Sequence, residues 1–214
     1  MIVLLLLALP PILDSHWDTI LACPRVSSGT ASGTGVVIGV KDGFAYVLTA
    51  GHVAPSDRLS VRFSTREKYP TAVRFHETIT VVGRWADPDL ALLRFPLGDR
   101  PLPVLALAPA WERPKAFPFA ARSAGVGAGE ASSAREEVVE AREFVKRAGR
   151  GGAFFWRTKA PTEQGRSGGP LLDSRGRVIG IVVAVRGGAG YYAHHDEILA
   201  ALKRDGHGWL IPDK

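Results

Sequence analysis

Gly165-Arg166-Ser167-Gly168-Gly169-Pro170 is the stretch on which the reading of this chain turns. A serine attacks a carbonyl only when a base takes its proton. Small neighbours let a substrate backbone approach and let the main chain turn so that its N–H groups converge, which is what a developing oxyanion needs. Alone, a serine among glycines is an ordinary loop residue. Two distant segments change its meaning. Thr49-Ala50-Gly51-His52-Val53 offers a base, and Asp87-Pro88-Asp89-Leu90-Ala91-Leu92-Leu93 offers an acid to orient it. The chain order is His52, Asp89, Ser167.

Together the three segments resemble the chymotrypsin-fold serine proteases, and more closely their bacterial trypsin-like, HtrA-type branch. The resemblance covers most of the chain after residue 18, but only the three motifs are specific. It implies an all-β fold of two six-stranded antiparallel β-barrels with a short C-terminal helix. It also implies a serine endopeptidase in which Ser167 attacks, His52 moves the proton, Asp89 orients His52, and the N–H groups of Gly165 and Ser167 form the oxyanion hole. Asp87 is the alternative acid. Asp89 is preferred because it directly precedes the apolar strand that anchors the family's aspartate. The primary pocket in relatives is walled by the segment before the serine and the strands after it, here Thr162, Val182, Val183, Ala184 and Tyr191. A small or aliphatic P1 residue is expected. Substrates are proteins or peptides, and the chemistry requires no cofactor and no metal. The oligomeric state is not readable.

One departure stands out. Most relatives carry Asp or Asn before the serine, and family zymogen activation uses a buried acid there; here the residue is Arg166. A trypsin-type activation switch is therefore not expected. Sequence leaves open whether Arg166 props the loop or faces solvent. It also motivates a rival reading, a catalytically silent two-barrel binding module. A second rival is the G-x-S-x-G elbow of α/β-hydrolase esterases, but that elbow needs a helix after the serine and the order Ser, Asp, His. Gly168-Gly169-Pro170 is a poor helix start. HtrA-type proteins normally add a peptide-binding PDZ domain, for which these 214 residues leave no room.

A chain of 214 residues buries a core without help from disulfides, and its single cysteine, Cys23, has no intramolecular partner. Glycine and proline recur throughout, which suits short strands and turns. The net charge of +6 comes from scattered arginines with no aromatic-interleaved stripe, so no nucleic-acid partner is expected. No apolar run reaches 20 residues, so no stable membrane span is expected. His76, His194, His195 and His207 fall outside any motif; the pair at 194–195 is at most a weak metal site.

Residues 1–17 read as an apolar N-terminal segment or signal peptide, with an apolar run at 1–13 but no preceding Lys or Arg. Export is expected, with a cytoplasmic location as the alternative. Ile20-Leu21-Ala22-Cys23 faintly resembles a lipoprotein box, separated from the apolar run by polar residues. The first barrel is expected at 18–98, opening with a strand at 19–26, followed by a linker at 99–103. The second barrel is expected at 104–195, then a helix at 196–205 with Asp196 as its cap, then a tail. Lys41-Asp42-Gly43 reads as a hairpin turn between strands, and 173–176 as another. Residues 122–137, rich in Gly, Ala and Ser, read as a mobile loop. Residues 138–147 fit a helix by pattern and a strand by family.

Overall fold

The computed structural model describes residues 15–98, 101–127, 131–146 and 151–213. The apolar run at 1–13 and two positions of the expected linker lie outside the described residues. Seven strands form one antiparallel sheet: β1 (Arg25–Ser28), β2 (Ser32–Lys41), β3 (Phe44–Ala50), β4 (Leu59–Ser64), β5 (Ala72–His76), β6 (Thr80–Trp85) and β7 (Leu90–Pro96). Their order is β5-β4-β1-β2-β3-β7-β6. Six more close into a barrel in the order β10-β13-β12-β11-β8-β9. They are β8 (Phe119–Val126), β9 (Ser132–Lys146), β10 (Gly152–Thr158), β11 (Pro170–Leu172), β12 (Val178–Arg186) and β13 (Ala189–His194). Helix α1 (Ser15–Leu21) precedes them and α2 (His195–Arg204) follows.

The all-β class with a C-terminal helix holds. The first sheet has seven strands where six were expected, because the four-residue β1 pairs with both β2 and β4. β2 is buried from Gly33 to Ile38 and beyond, an unbroken run rather than an alternating one, because it is covered on both faces. The hairpin into β3 turns at Asp42 (φ 52°) and Gly43 (φ 76°), the two positive angles that the primed turn demands. One large core cluster runs from Val36 and Leu48 to Val183 and Leu202, and a smaller one fills the closed barrel around Trp156 and Tyr192.

Three sequence expectations are corrected, and the open alternative at 138–147 resolves as strand over the described residues 138–146. The strand expected at 19–26 is replaced by α1, and β1 begins only after Pro24. Thr19, Ile20, Ala22 and Cys23 are all buried, which a helix end packed on the barrels achieves and an alternating strand does not. The loop expected at 122–137 is largely strand: β8 and β9 pair from Phe119↔Val139 to Val126↔Ser132. Its polar residues Ser123 and Glu137 are buried, so the strands lack the clean apolar-in, polar-out alternation that would have marked them. Residues 138–146 are strand, not helix, with Val139 buried between exposed Val138 and half-buried Glu140. At α2, the cap is His194, whose Nδ1 accepts the N–H of Asp196 at 3.0 Å. Asp196 lies inside the first turn, where a negative charge suits the helix dipole.

Candidate active site

The register of β3 and β7 brings base and acid together. Ala50 pairs with Leu90, so the residues just after β3 meet those just before β7. His52 lies in a 3-10 turn, Gly51–Val53, that continues β3. Asp89 ends the turn before β7, with φ 57°, a left-handed conformation that aspartate tolerates. His52 Nδ1 lies 2.8 Å from Asp89 Oδ2, and the His52 backbone N–H donates to Asp89 Oδ1 at 3.1 Å. Both oxygens of one carboxylate thus hold one residue. A carboxylate only accepts, so the ring proton sits on Nδ1 and Nε2 is left as a base. The Asp89 side chain is 11% exposed and that of His52 46%, so the acid is sheltered while the base faces outward. Asp87, the alternative acid, instead accepts the N–H of Gly151 at 2.8 Å.

Ser167 sits in the loop between β10 and β11, and that loop is moored to β2 by one residue. The Thr34 N–H donates to Ser167 O at 2.7 Å. Thr34 Oγ1 donates to Gly165 O at 2.9 Å and accepts from the Val126 N–H at 2.8 Å. Thr34 O in turn accepts from Thr49 Oγ1 at 2.6 Å. Gly168 has φ +88°, and a Cβ there would lie 2.0 Å from Thr34 O and 2.2 Å from Thr49 Oγ1. A Cβ on Gly33 would meet Ser167 O at 2.5 Å and Val53 Cγ2 at 2.6 Å, which places the serine loop against the neighbour of His52. Thr34 was not singled out from sequence; a small polar residue in a strand carries no signal of its own.

The N–H groups of Gly165 and Ser167 donate to no protein acceptor among the described residues, while those of Arg166, Gly168 and Gly169 donate to Glu163 O, Val182 O and Arg166 O. Two free donors thus flank one bound one, the pattern an oxyanion site requires. No hydrogen bond joins Ser167 Oγ to His52 Nε2 among the described residues, a contact that often tightens only with substrate. Arg166 is 1% exposed and points into the second barrel rather than to solvent.

The five pocket residues do not form one face. Val182 packs inside the closed barrel with Trp156 and Tyr192, whereas its neighbour Val183 joins the larger core. Thr162 is buried beside Gly190, whose added Cβ would meet Thr162 Cγ2 at 2.9 Å. Ala184 and Tyr191 are cross-strand partners and half-buried, and the Tyr191 hydroxyl donates to Glu143 Oε2 at 3.0 Å. His194 and His195 are fully buried, away from the His52–Asp89 pair. Burial pushes His194 down to about 3, and its ring lies 3.9 Å from that of Trp156. Burial also lowers His195, which contacts Ala108 O at 2.6 Å through Nε2. No group of three metal-ligating side chains is assembled among the described residues. Cys23 is buried, and burial pushes its thiol far above the ordinary range.

Residues 33–181 match the family model described as a trypsin-like peptidase domain, and the chain belongs to that family. No curated protein sequence matches the chain significantly. Among solved structures, the active form of the Rv3671c protease from M. tuberculosis is similar at 22% identity and a TM-score of 0.70, over 92% of this chain and 87% of that one. Deg5 is similar at 22% identity and a TM-score of 0.67, over 86% of this chain and 88% of that one. The HtrA-type protease AlgW, solved with a decapeptide, is similar at 19% identity and a TM-score of 0.65, over 89% of this chain and 66% of that one. These likenesses are of fold.

Proposed function

We propose that the chain is a serine endopeptidase that cleaves peptide bonds through an acyl-enzyme. The observation that carries this reading is the doubly held His52–Asp89 pair set against a serine loop with two unengaged N–H groups. His52 Nε2 takes the proton of Ser167 Oγ as that oxygen attacks the scissile carbonyl. Negative charge then builds on the carbonyl oxygen, where the N–H groups of Gly165 and Ser167 receive it. The imidazolium, steadied by Asp89, returns the proton to the leaving amine. Water repeats the sequence from the other side and frees Ser167. No metal or cofactor enters any step.

A fluorogenic peptide library and casein, each incubated with wild type and with Ser167→Ala, test the proposal. Cleavage by wild type alone is expected. Equal cleavage by both refutes it; cleavage by neither refutes it and leaves the silent binding module.

The apolar run at 1–13 supports export. No described helix is long and apolar enough to cross a membrane. Because Thr19 and Ile20 are buried and Ala22 and Cys23 follow them buried, a cleavage that preserves these contacts falls before Thr19. Intact-mass measurement of protein from the native cell tests this; a mature chain starting at Met1 contradicts it.

A further inference from the structure

The residue between the two candidate oxyanion donors is a buried cation that no carboxylate among the described residues touches. Arg166 Nη1 donates to Gly125 O at 3.3 Å and to Ser133 Oγ at 3.0 Å. Nη2 donates to Ser123 O at 3.2 Å, Ser123 Oγ at 3.3 Å and Ser133 O at 3.1 Å. All of these acceptors lie on β8 and β9. One described carboxylate lies one step removed. Ser123 Oγ donates its proton to Glu137 Oε1 at 2.8 Å, which leaves its lone pairs for Arg166. The same carboxylate oxygen accepts from Arg135 Nε at 2.6 Å and from the Tyr192 hydroxyl at 3.1 Å. Arg135 also reaches back to the serine loop, donating to Pro161 O at 2.7 Å and lying 3.8 Å from Glu163. Burial and the like charge of Arg135 lower the Arg166 guanidinium below its usual value.

A desolvated guanidinium is a poor stabiliser of a fold. It is a good ruler, because its planar fork meets carbonyls only in a narrow set of positions. The loop needs one. Gly165 (φ +89°) and Gly168 (φ +88°) bracket the Arg166-Ser167 pair, and glycines impose little conformational preference of their own. Arg166 occupies the position between Gly165 and Ser167, so fixing its side chain fixes the peptide plane that carries the Ser167 N–H and anchors the carbonyl side of Gly165. We infer that Arg166 is the positioning residue that sets the oxyanion hole, gripping β8 and β9 from inside the barrel. The inference rests on the serine-protease reading above.

The test compares kcat and KM of wild type, Arg166→Lys, Arg166→Met and Arg166→Gly on one fluorogenic peptide, with circular dichroism to confirm folding. Misplaced oxyanion donors act on the transition state, so kcat should fall about a hundredfold in Arg166→Met and KM should stay within about threefold. Arg166→Lys, with one nitrogen, should lie between. Millimolar methylguanidinium should restore part of kcat in Arg166→Gly, and urea at equal concentration should not. A purely structural role predicts lower stability with kcat intact. A folded Arg166→Met with kcat within threefold of wild type overturns the inference, as does a change confined to KM. If none of the Arg166 variants folds, the exposed Ser133→Ala decides. It removes one acceptor of Nη1; an unchanged kcat overturns the inference and a severalfold drop supports it. An inert wild type sinks the protease reading, whereas an active wild type with an indifferent Arg166→Met sinks this inference alone.

Discussion

Asp89→Asn changes one atom and should silence the site without disturbing the fold. Asn tolerates the left-handed backbone that Asp89 adopts at φ 57°, and it has the same shape. The difference lies in the two contacts to His52. Asp89 accepts from the His52 backbone N–H with Oδ1 and from Nδ1 with Oδ2. An amide has one acceptor and one donor. If its oxygen takes the backbone N–H, its NH2 faces Nδ1, and the ring must carry its proton on Nε2. That tautomer has no lone pair for the Ser167 proton. If the amide is turned over, two donors oppose each other at the backbone. The first arrangement keeps both hydrogen bonds, so it should dominate. In the serine-protease template the equivalent change lowers kcat by about 10⁴, or ~5.4 kcal/mol at 1.36 per decade. The same loss is expected here at neutral pH, with KM within about threefold and a melting temperature within a few degrees of wild type. The assay is steady-state cleavage of a fluorogenic peptide beside a thermal melt. Activity within tenfold of wild type, in a folded variant, would falsify the tautomer argument and with it the role given to Asp89.

Three further outcomes follow from the same geometry. Gly168→Ala puts a Cβ 2.0 Å from Thr34 O at a φ of +88°, so it should cost about 3 kcal/mol or more and abolish cleavage; a stable, active variant contradicts the loop geometry. Thr34→Val keeps the shape but strands the Val126 N–H and frees Gly165 O, so chemical denaturation should show a loss of about 1–3 kcal/mol, together with a lower kcat. His194 titrates lower when folded than when unfolded, chiefly through burial and against the pull of Asp196. Its contribution to stability is therefore complete above about pH 6.5 and is lost as pH falls toward 3, about 2 kcal/mol by pH 5. Denaturation curves across pH 4–8 should show this slope in wild type and a shallower one in His194→Gln; identical slopes contradict it.

Where the sequence was legible, the cause was local. The Asp42-Gly43 turn announces its hairpin because few residue pairs accept two positive φ angles. The alternation of β4, buried at Leu59, Val61 and Phe63, follows from one solvated face. His52 and Asp89 could be paired because each sits at the end of an apolar strand. What stayed hidden depended on distant partners. β8 and β9 looked like a loop because Ser123, Arg135 and Glu137 point inward, and only the buried Arg166 explains polar residues inside a barrel. The Thr34 mooring joins residues more than 90 positions apart, beyond any local pattern. α1 was hidden because a short helix ending at buried Ala22 and Cys23 has the same apolar content as a strand. The pocket residues were chosen by segment, and strand alternation then sent Val182 and Val183 to different cores.

The central claim is that Ser167 is a nucleophile activated by His52. The most direct measurement is covalent labelling with a fluorophosphonate probe, followed by peptide mapping, in wild type, Ser167→Ala and His52→Ala. The account predicts one adduct, on Ser167, absent from Ser167→Ala and slowed by orders of magnitude in His52→Ala. A folded wild type that takes no label, or a label that persists at equal rate in His52→Ala, contradicts it.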